Sequence, residues 1–307
     1  MDQYDVSRIT AARALKELAN DGYIRRMRKN GSIVISQNMD STAARLPAHT
    51  ASPYLNVPFV LPFAPDLGFD IMGGIQKEAQ KRNILITMFN SKRLLDKERG
   101  IPIIFVDRQL RYLDVPYVAS DNFHSMRRLT QWLLDKGHRR IAFVAYDLNA
   151  YCENQRFKGY VKAMTDNGLE LSSGYIQEVR RMIIGMPMMP ENDRATPKFV
   201  RDCLQEIISQ PEPPTALMCS FDLLASYVEQ QASALGISIP GDLSVTGFDN
   251  IFLSNHLEVP LTTVAQNYDL IGKKGVELLL ALRTGQQVQS QNLVETPIVE
   301  RSSVRAI

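Results

Sequence analysis

From residue 57 onward, short apolar runs alternate with stretches whose apolar positions recur every three or four residues. The runs Val57–Phe63, Ile84–Phe89, Ile101–Val106, Tyr117–Ala119, Ile141–Tyr146, Ala216–Cys219 and Leu243–Gly247 read as strands. Between most of them lie helical patterns: Asp70–Arg82, Phe123–Lys136, Asn154–Asn167, Pro197–Ser209 and Leu223–Leu235. Strand and helix in alternation predict an α/β fold of doubly wound parallel sheets. A stretch of about 250 residues is large for one such sheet and suits two lobes.

The pattern before residue 57 is different. Ser7 to Gly22 read as one helix: Ser7 caps it, Gly22 stops it, and Ala11, Leu15 and Leu18 form a single apolar stripe. Asn30-Gly31 then sits between two β-rich runs and predicts a hairpin carrying Arg25, Arg26, Arg28 and Lys29. Residues 37–56 are rich in Ser, Thr, Ala and Pro with no sustained apolar period, so they read as a linker. The organisation expected is a head at 1–36, a linker at 37–56 and a large domain at 57–307.

Composition narrows the function. The 307 residues carry 35 basic against 33 acidic side chains, a net charge of +2, so attraction to nucleic acid must come from a local patch. No apolar run is long enough to span a membrane and no secretory pattern opens the chain, which predicts a cytoplasmic protein. Cys152, Cys203 and Cys219 are scattered and give neither a disulfide framework nor a zinc site. His49, His124 and His256 have no partners at metal or triad spacing. His138, Arg139 and Arg140 follow a predicted helix end, where cations offset the dipole, and Trp132 shares a stripe with Leu129 and reads as core. Hydrolase, zincin, dinucleotide and P-loop strings are absent, so no enzyme and no cofactor is expected.

The string SRITAARALKELANDGYIRRMRKNGSIVI resembles the recognition helix and wing of GntR-type winged helix-turn-helix repressors. The resemblance implies that Ser7, Arg8, Thr10 and Arg13, with Arg28, Lys29, Asn30 and Gly31 at the wing, meet double-stranded operator DNA. Two departures matter. Ala12 stands where many members carry Arg, and the similarity begins in mid-domain, with Met1–Asp5 in place of the preceding helices. A partial head lacking much of its small core is therefore expected.

Five strings in order, IPIIFVDR, GHRRIAFV, RFKGY, IPGDLSVTGFDN and PLTTV, resemble the effector domain of LacI/GalR-type repressors, which is similar to periplasmic sugar-binding proteins. Joined to a GntR-like head, the whole resembles an arabinose-repressor type of chimera. Physically, a sugar pocket needs carboxylates, amides and Arg forks with an aromatic wall, placed at the carboxyl ends of parallel strands. Phe69, Asp107, Arg108, Asp121, Arg156, Phe221, Asp222 and Asp249 occupy such positions. Asp121 and Asp222 serve equally well as helix caps, and Phe69 and Phe221 as core. Phe221 replaces an Asn common in relatives, which implies an altered or more apolar ligand.

Only residues 90–100 separate two predicted strands, too few for the strand and helices that relatives carry there. A missing strand is expected, with Ile101–Val106 lying beside Val57–Phe63 to fill its place. The reading as a whole is a homodimeric, ligand-responsive regulator of transcription that binds an operator and a sugar-like effector. The alternative is a solute-binding module that has lost DNA binding through truncation.

Overall fold

The computed structural model describes residues 24–27, 31–34, 55–60, 65–82, 84–89, 102–107, 115–179 and 196–307. The chain divides into two compact units, 1–55 and 56–307. In the first, β1 (Ile24–Met27) and β2 (Gly31–Val34) pair antiparallel, with Ile24 opposite Val34 and Met27 opposite Gly31. The hairpin predicted from Asn30-Gly31 is thus formed. Ser7, Arg8, Thr10, Arg13, Arg28, Lys29 and Asn30 lie outside the described residues, as do the linker 37–54 and the segment 90–101.

The second unit is built as two lobes. Its N-terminal lobe contains β3 (Leu55–Val60), α1 (Pro65–Lys81), β4 (Ile84–Phe89), β5 (Phe105–Val106) and β6 (Tyr117–Ser120). Later in the chain α6 (Tyr268–Arg283) and β12 (Gln291–Val294) return to it. Strand β6 is flanked by β12 and β5, both parallel, while β3 pairs with β4 in a separate sheet. Val118, Ile271 and Val294 form the buried centre. Helices α1 and α6 meet at glycines: a Cβ on Gly74 would collide with the Tyr268 carbonyl, and one on Gly272 with the Ile75 amide.

The expected pairing of Ile101–Val106 with Val57–Phe63 is not found among the described residues. Phe105 and Val106 pair with Tyr117 and Val118, and Leu55–Val60 belongs to the other sheet. Pro102 brings no N–H to a ladder, and only two residues of the segment are in strand geometry, both on the β6 side.

The C-terminal lobe contains α2 (Asn122–Asp135), β7 (Ile141–Ala145), α3 (Tyr151–Asp166), β8 (Ile176–Glu178), α4 (Thr196–Ile208), β9 (Ala216–Cys219), α5 (Asp222–Ala234), β10 (Ser244–Asp249), β11 (Thr262–Ala265) and β13 (Ile298–Val299). Its sheet runs β8-β7-β9-β10-β11-β13, parallel throughout except for the last strand. Side chains alternate with the strand period of two. Ile141, Phe143 and Ala145 pack with Met126, Leu129 and Tyr160, whereas Ala142 and Val144 pack with Val200, Leu204 and Val228. Covered on both faces, β7, β9 and β10 are buried at every position, and β7 and β9 accordingly read as continuous apolar runs.

The chain passes between lobes three times, at Ser120–Asn122, at Ala265–Tyr268 and at Val294–Ile298. Thr296 Oγ1 donates to Ser125 Oγ at 2.5 Å, and an Arg128 guanidinium N–H donates to the Thr296 carbonyl at 3.0 Å. The Asp121 amide donates to the Val294 carbonyl. The first and third passes are thereby bound together.

Candidate functional site

In chain order the C-terminal sheet starts at β7, adds β8 on one side, then turns to β9 on the other. From the carboxyl ends of the paired strands β7 and β9 the chain leaves toward opposite faces of the sheet, to α3 and α5, and at such a reversal an open parallel sheet places a ligand crevice. Arg156 projects into this junction from α3 and is 3% exposed. Its Nε donates to Asn122 Oδ1 at 2.8 Å, Nη1 to the Ser220 carbonyl at 2.6 Å and Nη2 to Asp249 Oδ1 at 3.2 Å. The Phe248 ring covers the guanidinium face 3.7 Å away. Gly159, one turn further along α3, lets that helix approach α2, since a Cβ there would strike the Phe123 carbonyl.

These contacts close into a circuit. Gln266 Nε2 donates to Asp249 Oδ1 at 2.6 Å, Ser120 Oγ donates to Gln266 Oε1 at 2.5 Å, and Asn122 Nδ2 donates to the Ser120 carbonyl at 3.0 Å. Ser120, Gln266, Asp249, Arg156 and Asn122 thus form a hydrogen-bonded ring that contains two of the three interlobe passes. All five residues are buried. Burial opposes the charge on Arg156, but the carboxylates, Asp249 foremost, more than offset it and hold the guanidinium protonated.

Backbone strain gathers here too. The non-glycine residues with positive φ among the described residues are Asp107 (56°), Asp249 (115°) and Asn250 (56°), all just at or beyond strand ends facing the crevice. The Asp107 amide donates to the Val118 carbonyl at 2.7 Å, and its charge acts on Arg156 across the lobes. Half-buried Cys152, one turn before Arg156, has its thiol pushed up to about 11 by burial.

The remaining predicted residues separate by role. Asp121 caps α2, accepting from the His124 amide at 3.1 Å and lying 2.9 Å from His124 Nδ1, so the cap reading holds and His124 acquires a partner. Asp222 is the first residue of α5 and does not cap it, since Phe221 holds the N-cap position and the buried Asp222 carboxylate bonds outside the helix. It accepts from Thr263 Oγ1 at 2.6 Å, Ser254 Oγ at 2.5 Å and the Ile251 amide at 3.1 Å. Burial, then the charge of Asp249, push it up to about 7. Gly247 leaves room for this carboxylate, since a Cβ would overlap it. Phe221 occupies the N-cap position of α5, half-buried, its ring 6.5 Å from that of Tyr146. Phe69 lies on α1, and Arg108 is outside the described residues.

Sequence reasoning missed Ser120, Asn122, Glu153, Ser220 and Gln266. Asn122 directly follows Asp121, which the sequence singled out, and Gln266 lies two positions beyond the string PLTTV; these were the available signals. His138 needs correcting. It is buried and pushed down by burial, with Nδ1 2.8 Å from Thr215 Oγ1 and Nε2 3.0 Å from the Arg305 carbonyl. The end of α2 is met instead by Arg139, which donates to the Leu134 carbonyl at 2.6 Å. Trp132 is only half-buried, with Lys136 Nζ 4.4 Å over its ring. No group of metal-binding side chains occurs among the described residues.

Comparison with known proteins agrees with this fold. Residues 130–304 match the family described as Periplasmic binding protein-like domain. The HTH-type transcriptional repressor CytR of Escherichia coli K12 is 30% identical over 215 residues, covering 69% of this chain and 59% of that protein. The HTH-type transcriptional repressor PurR of Pasteurella multocida is 26% identical over 219 residues, covering 71% and 61%. This chain therefore spans less than two thirds of the length of either. Among solved structures, a LacI family regulatory protein from Chloroflexus aggregans superposes with a TM-score of 0.67 at 22% identity, over 83% of this chain and 99% of that one. A LacI family regulator from Enterococcus faecium with bound ribose gives 0.66 at 19% identity, over 82% and 99%.

Proposed function

This chain belongs to the periplasmic binding protein-like family, with an effector domain of the LacI/GalR type, and from that membership we propose that it is a ligand-responsive, DNA-binding transcriptional repressor acting in the cytoplasm. Its effector is a sugar or a related small polar molecule. One observation carries the reading: the ring through Arg156 and Asp249 also contains Ser120 and Gln266, which sit on the strands of chain joining the lobes. A molecule that binds those polar groups changes how the lobes meet, and differential affinity for two lobe arrangements is all that regulation requires. Phe69, Asp107, Arg108, Arg156, Phe221 and Asp249 are assigned to the effector, and Asp121 and Asp222 to holding the crevice in shape.

Residues 1–36 serve as a partial GntR-type winged head, and Ser7, Arg8, Thr10, Arg13, Arg28, Lys29, Asn30 and Gly31 face the operator. The basic β1–β2 hairpin supports this assignment. Pairing of effector domains into a homodimer is part of the same proposal. No helix among the described residues is long and apolar enough to cross a membrane.

A thermal-shift screen of pentoses, hexoses and their phosphates tests the effector, since a bound ligand raises the melting temperature by mass action. Retention on operator DNA that weakens steeply with salt supports the repressor. Ligand binding without DNA retention at low salt instead identifies a solute-binding module.

A further inference from the structure

Glu153 lies one turn before Arg156 on α3, and the two side chains grip the same residue. Ser220 Oγ donates to Glu153 Oε2 at 2.5 Å, while the Ser220 carbonyl accepts from Arg156 at 2.6 Å. The Glu153 carboxylate also accepts from the Tyr146 amide at 2.8 Å, on Oε2, and from the Asp147 amide at 3.2 Å, on Oε1. It therefore ties the end of β7 to the end of β9 across the sheet reversal. Glu153 and Ser220 are both buried, at 6% and 0% exposure, which shields these contacts from solvent.

We propose that Glu153 is a positioning residue for the effector crevice: its ionised carboxylate holds Ser220 and the turn after β7 in place, and so fixes the Arg156 guanidinium for ligand. This rests on the effector reading above.

The contact geometry makes the ionised form the fitting one. Donors approach both oxygens, so a proton on Oε1 would point a donor at the Asp147 amide. Burial pushes Glu153 up to about 7, against the pull of Ser220, the Tyr146 amide and Arg156. The clasp is thereby placed where modest acidification releases it. The ionisable groups gathered about it are Cys152 and Arg156 on α3, Asp147 and Glu178 beyond β7 and on β8, Asp249 on β10, and Asp107 from the other lobe. Asp222 titrates in the same range, so the two must be separated by substitution.

Two measurements decide the matter. Nitrogen-edited NMR of the Arg156 Nε–H in the ligand-free chain should show a transition near pH 7 that persists in Asp222→Asn and vanishes in Glu153→Gln. Ser220→Ala, which keeps the carbonyl and removes the hydroxyl, should shrink the same transition should Glu153→Gln fail to fold. Calorimetry with ribose as the probe should give about 10-fold weaker binding at pH 5.5 than at pH 8 in the parent chain, a difference that shrinks in Glu153→Gln and is kept in Asp222→Asn. An Arg156 signal without a transition, or with one unchanged in Glu153→Gln and Ser220→Ala, overturns the proposal. Ribose failing to bind the parent chain at both pH values counts against the effector reading, and the NMR result then decides the role of Glu153 alone.

Discussion

The Tyr117 hydroxyl lies 3.0 Å from the Tyr151 hydroxyl, with the two rings edge to face at 5.9 Å. Tyr117 begins β6 in the N-terminal lobe and Tyr151 begins α3 in the C-terminal lobe, so this pair latches the lobes beyond the three covalent passes. Tyr151→Phe removes a neutral hydrogen bond worth about 1 kcal/mol. The expected result is a shift toward the open arrangement, seen as a larger radius of gyration by small-angle scattering, with effector affinity down about 5-fold.

Arg156→Lys keeps a positive charge beside Asp249 but cannot reach three acceptors in fixed directions, nor lie flat on Phe248. Effector affinity should fall at least about 100-fold while operator binding persists. Arg156→Ala is a harsher test, because it leaves Asp249 buried without its ion-pair partner, and a stability loss of about 3 kcal/mol is expected in denaturant titration.

Asp222 holds its proton more tightly in the fold, at about 7, than at its ordinary value of 3.8. The folded state therefore binds more protons between these values, and stability attributable to Asp222 falls as pH rises through that window. Asp222→Asn should flatten this part of the dependence of Tm on pH. An undiminished slope between about pH 5 and about pH 7 would assign it to other groups, Glu153 first.

The crossing of α1 and α6 offers a paired control. A Cβ at Gly272 meets backbone of α1 at once, so Gly272→Ala should cost about 1–3 kcal/mol through overpacking. A Cβ at Gly73 meets nothing within 4 Å, and Gly73→Ala should stabilise α1 by about 0.5–1 kcal/mol. Chemical denaturation of both variants measures the difference.

Arg8→Ala should weaken operator binding and make its salt dependence shallower, by about one counterion if Arg8 meets a phosphate. Fluorescence anisotropy across a salt series reads both effects. An unchanged curve would remove Arg8 from the interface.

The C-terminal lobe was the most legible part of the sequence. Strands such as Ile141–Ala145 and Ala216–Cys219 are buried on both faces, so burial wrote them as unbroken apolar runs. Strands β8, β12 and β13 have two to four residues and sit at or next to sheet edges, where Gln177, Gln291 and Asn292 carry no strong pattern. Helix α3 begins at Tyr151 rather than Asn154, because Ala150 enters it without a side-chain cap to mark the start. Arg156 and Asp249 were found through long motifs. Their partners were harder, since Ser120 and Gln266 stand 146 positions apart and meet only because the chain changes lobes between them. Local periodicity carries no trace of that return.

Under the proposed effector reading, the ring of Ser120, Gln266, Asp249, Arg156 and Asn122 is at once the grip and the axle. In a hinge set apart from its jaws, a guest can be held without turning anything. Here any tug on the guanidinium or its carboxylate is already a torque on the shaft, so occupancy and rotation arrive as one event.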